Sequence, residues 1–217
     1  MSLLQLRASL KLWQRKLTYR TRKLAQVREE DHRDGLTPSE VQHINKWKRL
    51  VAEAQTMVAR RKRQIADMAP LRLRAYRVAE SLIGVMEQGG NNQGAMVSKI
   101  IRANGGAGPE AWCGDFMAYC YRHAGSKSVN RAWASVRLLG SVAGVWRTSK
   151  PQTGDLVRFS FDHVGMFVKD NGNGTIQTVE GNTGASGAVS DSATGGDGVY
   201  RKTRHKSLVQ DYLRVSR

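Results

Sequence analysis

The stretch DLVRFSFDHVGMFVKDNGNGTIQTVEGN (155–182) decides the fold of this chain of 217 residues. It contains short apolar segments, rich in β-branched and aromatic residues, that are separated by residues typical of turns, and this pattern predicts antiparallel β-strands. Five segments with this texture follow Pro151: 155–160, 163–169, 175–180, 199–204 and 212–216.

The residues between Leu71 and this stretch have a helical pattern instead. We expect one helix from Leu71 through LRLRAYRVAESLIGVMEQ, a short second helix over 98–104, and a third that begins at Trp112. Helices that precede an antiparallel sheet indicate an α+β domain.

The composition changes sharply near Pro70, which predicts two domains, 1–69 and 70–217. Residues 1–69 hold one Gly and one Pro, against 21 Gly and three Pro in the remainder. Apolar residues in the first part recur at the three-four spacing of a heptad seam, twice, with Arg20 and Arg61 as the interruptions. The first seam is Leu3, Leu6, Leu10, Trp13, Leu17, Leu24 and Val27, and the second is Ile44, Trp47, Val51, Ala54, Val58, Ile65 and Met68.

The segment DGLTPSE (34–40) between the two seams predicts a turn. Gly35 suits the end of a helix, Thr37 with Glu40 forms a capping box, and Pro38 occupies a first-turn position. Residues 1–69 are therefore predicted to form an antiparallel α-helical hairpin that resembles a coiled coil.

The formal net charge is +17, from 35 Lys and Arg against 18 Asp and Glu, which predicts attraction to a polyanion. The hairpin is the more basic part per residue, with 16 basic and 7 acidic residues in 1–70. A solvated coiled coil, an element that binds the cell wall or a protein partner, and self-association through the hairpin all remain open for this part.

No apolar run approaches the roughly 18 residues of a membrane span, and the first residues do not form a signal peptide, so we expect synthesis in a host cytoplasm. The only cysteines are Cys113 and Cys120. On one helix their spacing separates them by about 10 Å, too far for a disulfide, so we expect reduced thiols.

Cys113 lies in PEAWCGDFMAYCYRHAG (109–125), where a turn-like segment is followed by an amphipathic run. This pattern places the sulfur near a helix N-terminus, where the helix dipole favours the thiolate that attacks a carbonyl. A buried structural thiol is the alternative, which suits Cys120 better.

Such a thiolate needs a base, and His163 is the best placed of the five histidines because it opens the predicted strand HVGMFV. Glu180 ends another strand and is the candidate for orienting the imidazole, although an exposed strand end explains it equally well. Asn182 would point to the same side if the backbone continued extended.

Together and in this order, WCGDF, GDLVRFSFDHVGMFV and TVEGNTG resemble the cysteine- and histidine-dependent amidohydrolase/peptidase (CHAP) family, which cleaves peptidoglycan with a papain-like fold. The resemblance covers about residues 75–216, begins with AESLIGVMEQGGNNQG (79–94), and departs from the family at Ala111, where relatives often have Pro.

The resemblance implies that Cys113 is the nucleophile, His163 the base, Glu180 the orienting acid and Asn182 its polar companion. It also makes Glu87, Asn92 and Trp112 candidates for binding substrate, because they lie in or beside the leading loop and the nucleophile segment. Neither a cofactor nor a metal is expected, since DNGNGT (170–175) reads as a hairpin turn.

The resemblance implies a peptidoglycan hydrolase, either an endopeptidase or an N-acetylmuramoyl-L-alanine amidase. The context resembles a bacteriophage endolysin or a virion-associated lysin that reaches the wall through a holin or in the particle. The alternatives are a basic nucleic-acid-binding protein, for which no recognised motif is present, and a coiled-coil assembly protein.

Overall fold

The computed structural model describes residues 1–30, 36–185 and 196–216 of the chain. They divide into two compact units, Met1–Ala69 and Pro70–Arg217. Over this part of the chain no helix combines the length and the apolar character needed to cross a membrane.

The first unit consists of α1 (Leu3–Glu30) and α2 (Pro38–Asp67), packed antiparallel. The two arginines that interrupt the seams each bind the facing helix. Arg20 donates to the carbonyl of Leu50 at 2.7 Å and pairs with Glu53 at 2.8 Å, and Arg61 donates to the hydroxyl of Ser9 at 3.0 Å. The interruptions therefore hold the hairpin in register.

The start of α2 confirms the capping box predicted from the sequence. The Thr37 hydroxyl accepts from the backbone N–H of Glu40, the Glu40 carboxylate accepts from the N–H of Thr37, and Pro38 lies in the first turn. Gly35, the predicted end of the preceding helix, lies outside the described residues.

The second unit packs helices against an antiparallel sheet, which confirms the predicted α+β class. The helices are α3 (Leu71–Ser81), α4 (Ala95–Ala103) and α5 (Cys113–His123), followed by a 3-10 turn at Arg131–Ala134. The strands are β1 (Val145–Thr148), β2 (Leu156–Phe159), β3 (Val164–Asp170), β4 (Thr175–Thr183), β5 (Gly198–His205) and β6 (Val209–Val215). Their order in the sheet is β1-β6-β2-β3-β4-β5.

The structure differs from the sequence prediction in the bounds of two helices and in one additional strand. The helix α4 begins at Ala95 instead of at residue 98. The helix α3 ends at Ser81 instead of near 88, because Gly84 has a positive φ of 92° and turns the chain into a loop. The strand β1 was not predicted: it is four residues long, pairs only with β6 among the described strands, and leaves Trp146 46% exposed.

The strand β3 separates two hydrophobic clusters, as its alternating pattern predicts. Val164, Met166 and Val168 join the main core with the helices, whereas Phe167 joins a smaller cluster with Phe159 on the other face of the sheet. The core face of the sheet packs against α5, every residue of which from Cys113 to Tyr121 is buried.

Candidate active site

Cys113 is the first residue of α5, and small residues set the close packing around it. A Cβ on Gly114 would lie 2.2 Å from the carbonyl oxygen of Trp133, so the first turn of α5 rests directly on the 3-10 turn. A Cβ on Gly181 of β4 would lie 2.6 Å from the ring of Phe116. These two glycines let the helix start approach the sheet closely. Cys113 retains 5% exposure.

His163 lies immediately before β3 and is held by its own tight turn. Its N–H donates to the carbonyl of Phe161 at 2.6 Å, and its carbonyl accepts from the N–H of Phe159 at 3.1 Å. The imidazole stacks with both rings, at centroid distances of 5.9 Å to Phe161 and 5.8 Å to Phe159. With 1% exposure, this side chain has a fixed orientation.

The imidazole connects Cys113 with Glu180. Nε2 of His163 lies 2.9 Å from Oε2 of Glu180, and the Cys113 side chain lies close enough to the imidazole to help raise its pKa. Since Nε2 faces the carboxylate, Nδ1 is the ring nitrogen left for the sulfur. The structure thus brings together three of the four residues predicted to be catalytic.

The ionisation of this group follows from burial and pairing. Burial by itself lowers the pKa of His163, but the hydrogen bonds and charges of Cys113 and Glu180 outweigh it and raise the pKa to about 9. Burial raises the pKa of Glu180, yet His163 and Arg204 outweigh that and lower the pKa to about 2. Near neutral pH, the imidazole therefore carries a proton beside an ionised carboxylate.

The Glu180 carboxylate has further donors that sequence reasoning missed. Thr178 donates its hydroxyl to Oε1 at 2.5 Å, and Arg204 of β5 donates from Nε to Oε1 at 3.1 Å and from a terminal nitrogen to Oε2 at 2.7 Å. Arg204 is 2% exposed. In the sequence, Arg204 is only one of several cationic residues in the segment that forms β5. Its proximity to Glu180 can be inferred only once the pairing of β4 with β5 is known.

Asn182 contacts the other end of the site. It has a positive φ of 55°, so the extended backbone on which its predicted orientation depended does not continue past Gly181. When its amide is assigned the orientation that satisfies both neighbours, the Asn182 oxygen accepts from the N–H of Trp112 at 3.1 Å and its nitrogen donates to the carbonyl of Gly196 at 3.0 Å. Asn182 therefore clamps the residue that precedes Cys113.

The three substrate-binding candidates form a support behind the nucleophile segment. Glu87 accepts from the indole N–H of Trp112 and from the backbone N–H of Asn92, both at 2.8 Å. Trp112 is 0% exposed and its ring packs edge-on against Phe116, so no ring surface is left for a substrate. The prediction that Trp112 contacts the substrate is therefore wrong. Trp112 is a buried residue that supports the nucleophile segment, because the core and Glu87 enclose its indole. Glu87 and Asn92 are half-buried.

Asp115 fixes the first turn of α5 from the side. It is fully buried and accepts from the Asn104 amide at 2.7 Å and from Arg131 at 3.1 Å, and Arg131 also pairs with Glu110. Burial is the main cause that raises the pKa of Asp115 to about 6. This cluster ties the helix that carries Cys113 to the 3-10 turn.

A polar pocket of ≈ 290 Å³ lies beside the turn that holds His163. Phe161, which stacks on the imidazole, forms part of its wall, together with Asp162 and Arg137. The floor is rigid because Arg158, 3% exposed, pairs with Asp211 and donates to the carbonyl of Arg137 at 3.2 Å.

The segment 170–175 is the turn between β3 and β4, as predicted. Asp170 accepts from the N–H of Gly172, and Asn173 accepts from the N–H and the hydroxyl of Thr175. Within the described ranges no cluster of three or more His, Cys, Asp or Glu has the arrangement needed to hold a metal ion.

In a comparison with known families, residues 103–182 match the family model described as CHAP domain. This segment contains Cys113, His163 and Glu180 and ends at Asn182. No curated protein and no solved structure matches the chain significantly.

Proposed function

Since the second unit carries a CHAP domain, the domain of cysteine- and histidine-dependent amidohydrolases and peptidases that act on peptidoglycan, we propose that Cys113, His163 and Glu180 hydrolyse an amide bond of the bacterial cell wall. The observation that carries this proposal is the His163 imidazole, which binds Glu180 on one side and lies beside Cys113, the first residue of a buried helix, on the other. A nucleophile, a base and an orienting group in sequence are what thiol-dependent acyl transfer requires.

The reaction begins when the Cys113 thiolate attacks the carbonyl carbon of the amide. A C–S bond forms, and the electron pair of the carbonyl moves onto oxygen, where the backbone N–H of Cys113, the first of α5, stabilises the charge. The C–N bond then breaks as the His163 imidazolium gives its proton to the leaving amine. This step leaves a thioester on Cys113 and a neutral imidazole.

Water completes the reaction. The neutral imidazole of His163 takes one proton from the water as its oxygen attacks the thioester, and the C–S bond breaks so that the thiolate–imidazolium pair is restored. The product leaves as a carboxylic acid, which loses its proton to the solvent. Glu180 stays ionised throughout and holds the imidazole through Nε2. The raised pKa of His163 supports this assignment, because it keeps the proton available for the leaving amine at neutral pH.

The pocket beside His163 is the best candidate for the substrate residue next to the cleaved bond. A stem-peptide residue bears charges, and Arg137 and Asp162 offer an exposed cation and an exposed anion there. Replacing Arg137 by Gln should raise KM for a soluble muropeptide about threefold to tenfold with little change in kcat. The exposed Lys169 at the far end of β3 is the matched control, and an unchanged KM in Arg137→Gln would assign the substrate elsewhere.

Turbidity loss of purified cell walls tests the function. Cys113→Ala should abolish it at nearly unchanged thermal stability of the fold. His163→Ala should abolish it as well, and more than a few per cent of activity in that variant would point to a different base. Steeply salt-dependent binding of DNA without any wall hydrolysis would favour the nucleic-acid-binding alternative.

The basic hairpin supports a second part of the proposal, attachment to an anionic wall. Deleting residues 1–69 should spare cleavage of a soluble muropeptide and reduce activity on intact walls, with the advantage of the full chain shrinking as salt rises. Equal retention on both substrates would indicate an assembly or self-association element instead. Light scattering of the full and truncated chains separates those two outcomes.

A wall hydrolase joined to a basic unit also supports a bacteriophage role, as an endolysin released through a holin or as a lysin carried in the virion. Lysis of susceptible cells only when a holin is co-expressed would favour the endolysin. Detection of the chain in purified particles would favour the virion-associated form. If neither result were obtained, the phage role would have no support.

A further inference from the structure

We propose that Arg204 is a positioning residue of the reaction, whose guanidinium holds the Glu180 carboxylate in the orientation in which it binds the imidazole of His163. The inference rests on the proposed Cys113–His163–Glu180 mechanism. It adds a fourth side chain that contacts neither the sulfur nor the substrate and acts only through Glu180.

The geometry of the pair is two-pronged. Nε of Arg204 reaches Oε1 of Glu180 at 3.1 Å, and a terminal nitrogen reaches Oε2 at 2.7 Å, so both carboxylate oxygens are held by one rigid group. The same terminal nitrogen donates to the Thr183 hydroxyl at 3.3 Å. A planar guanidinium is the side chain suited to two such bonds, because its donors have a fixed fork geometry.

Arg204 and His163 share their acceptor and their surroundings. Oε2 of Glu180 accepts from both Arg204 and Nε2 of His163, at 2.7 and 2.9 Å. The rings of Phe159 and Phe161 that stack with the imidazole also lie 5.6 and 5.7 Å from the guanidinium carbon. The carboxylate therefore lies between two cations that one aromatic pair covers.

Burial explains why this arrangement acts on orientation. Arg204 is 2% exposed and Glu180 is 0% exposed, and a buried carboxylate that loses a charged partner turns toward other donors or takes up a proton. Either change weakens its bond to His163. Without Arg204, the Thr178 hydroxyl would remain as the donor to Oε1 of Glu180. A hydrogen bond from a neutral hydroxyl stabilises a carboxylate less than one from a guanidinium.

The charged groups around His163 and Glu180 come from several elements. They are Cys113 from α5, Arg204 and Lys202 from β5, and Asp162 from the turn before β3. Lys202 donates its ammonium to the carbonyl of Gly184 at 2.9 Å and Asp162 is exposed, whereas Arg204 contacts the Glu180 carboxylate directly.

The test compares Arg204→Gln and Arg204→Lys with Arg201→Gln in the full chain. Arg201 lies on the same strand but pairs with Glu80 instead, which makes it the matched control. The titration of His163 is followed by NMR through its ring proton, and the pH profile of kcat is measured on a soluble muropeptide.

A positioning role predicts that Arg204→Gln lowers the titration midpoint of His163 by at least about one pH unit, since the imidazolium loses its carboxylate partner. The basic limb of the kcat profile should move down with it, and kcat should fall at least about tenfold with KM little changed. Arg204→Lys should be intermediate, because one ammonium keeps the charge but loses the fork. Arg201→Gln should leave both quantities unchanged.

Two results would overturn the proposal. An unchanged midpoint in a folded Arg204 variant would reduce Arg204 to a structural role, and an upward shift would mean that it acts on His163 only as a repelling charge. If Arg204→Gln fails to fold, the His163 titration midpoint in Arg204→Lys is used to decide between the same outcomes. Because the NMR titration needs no substrate, it stays informative even if the wild-type chain cleaves no muropeptide, which would refute the proposed function separately.

Discussion

The side chain of Glu180 lies directly over the α-carbon of Gly165 on the neighbouring strand: a Cβ at position 165 would lie 2.7 Å from Cγ of Glu180. This contact is much closer than van der Waals packing allows, so only glycine leaves room for the carboxylate between β3 and β4. Gly165 therefore makes space for the residue that binds the His163 imidazole.

Gly165→Ala should therefore displace Glu180 and damage activity more than stability. We expect kcat on a soluble muropeptide to fall at least about tenfold and the free energy of unfolding to fall by about 1–3 kcal/mol, as for an overpacked site. Gly108→Ala is the control, because that Cβ would meet no atom within 4 Å. A wild-type kcat in Gly165→Ala would show that the backbone of β3 shifts to accommodate the methyl group without moving Glu180.

The two thiols should differ in reactivity and in the effect of their removal. Cys120 is fully buried, and burial raises the pKa of its thiol well above the usual value, whereas Cys113 retains some exposure and lies beside the imidazole whose pKa it helps to raise. Alkylation at neutral pH, read by peptide mass spectrometry, should label Cys113 first.

Cys113→Ala should abolish hydrolysis, and Cys120→Ala should keep most activity while costing about 1 kcal/mol of stability through the cavity that it leaves. Labelling of Cys120 before Cys113 would reverse the assignment of the nucleophile.

The ionisation of His163 and Glu180 predicts how stability depends on pH. The pKa of His163 is raised from 6.5 to about 9 in the folded chain, so its contribution is complete below pH 6.5 and is lost as pH rises through 9. The pKa of Glu180 is lowered from 4.5 to about 2, so its contribution is complete above pH 4.5 and is lost as pH falls toward 2.

As far as these two groups are concerned, the free energy of unfolding should be highest between about pH 4.5 and 6.5. Urea denaturation across pH 3–10 measures it, and His163→Gln should flatten the alkaline decline. Activity should fall near pH 9, where the imidazolium that protonates the leaving amine disappears. An alkaline decline of stability that survives in His163→Gln would assign it to another group.

Asn182 offers a way to separate backbone conformation from side-chain bonding. Asn182→Gly keeps a residue that tolerates a φ of 55° but removes the amide that accepts from Trp112, so kcat should fall several-fold with a small loss of stability. Asn182→Ala adds backbone strain of about 1 kcal/mol to the same loss. Equal, wild-type kcat in both variants would mean that the start of α5 needs no clamp.

The sequence predicted most of what depends on local pattern. The strands β2 to β6 follow from short apolar segments rich in β-branched and aromatic residues, and the capping box follows from Thr37 and Glu40. The family resemblance is confirmed by the match of residues 103–182 to the CHAP domain model. What it could not predict depends on register and on tertiary space. Arg204 reaches Glu180 only through the pairing of β4 with β5, and the bond from Asn182 to Trp112 requires a left-handed residue in a strand that reads as extended.

Mass spectrometry of digested peptidoglycan tests the central claim most directly. Purified walls are incubated with the wild-type chain or with Cys113→Ala in water enriched in ¹⁸O, and the soluble products are sequenced. Hydrolysis of an amide through a thioester on Cys113 predicts matched new amines and carboxylates, one ¹⁸O atom in each new carboxylate, and no products from Cys113→Ala. New reducing sugar ends in place of amines, or the same products from Cys113→Ala, would contradict it.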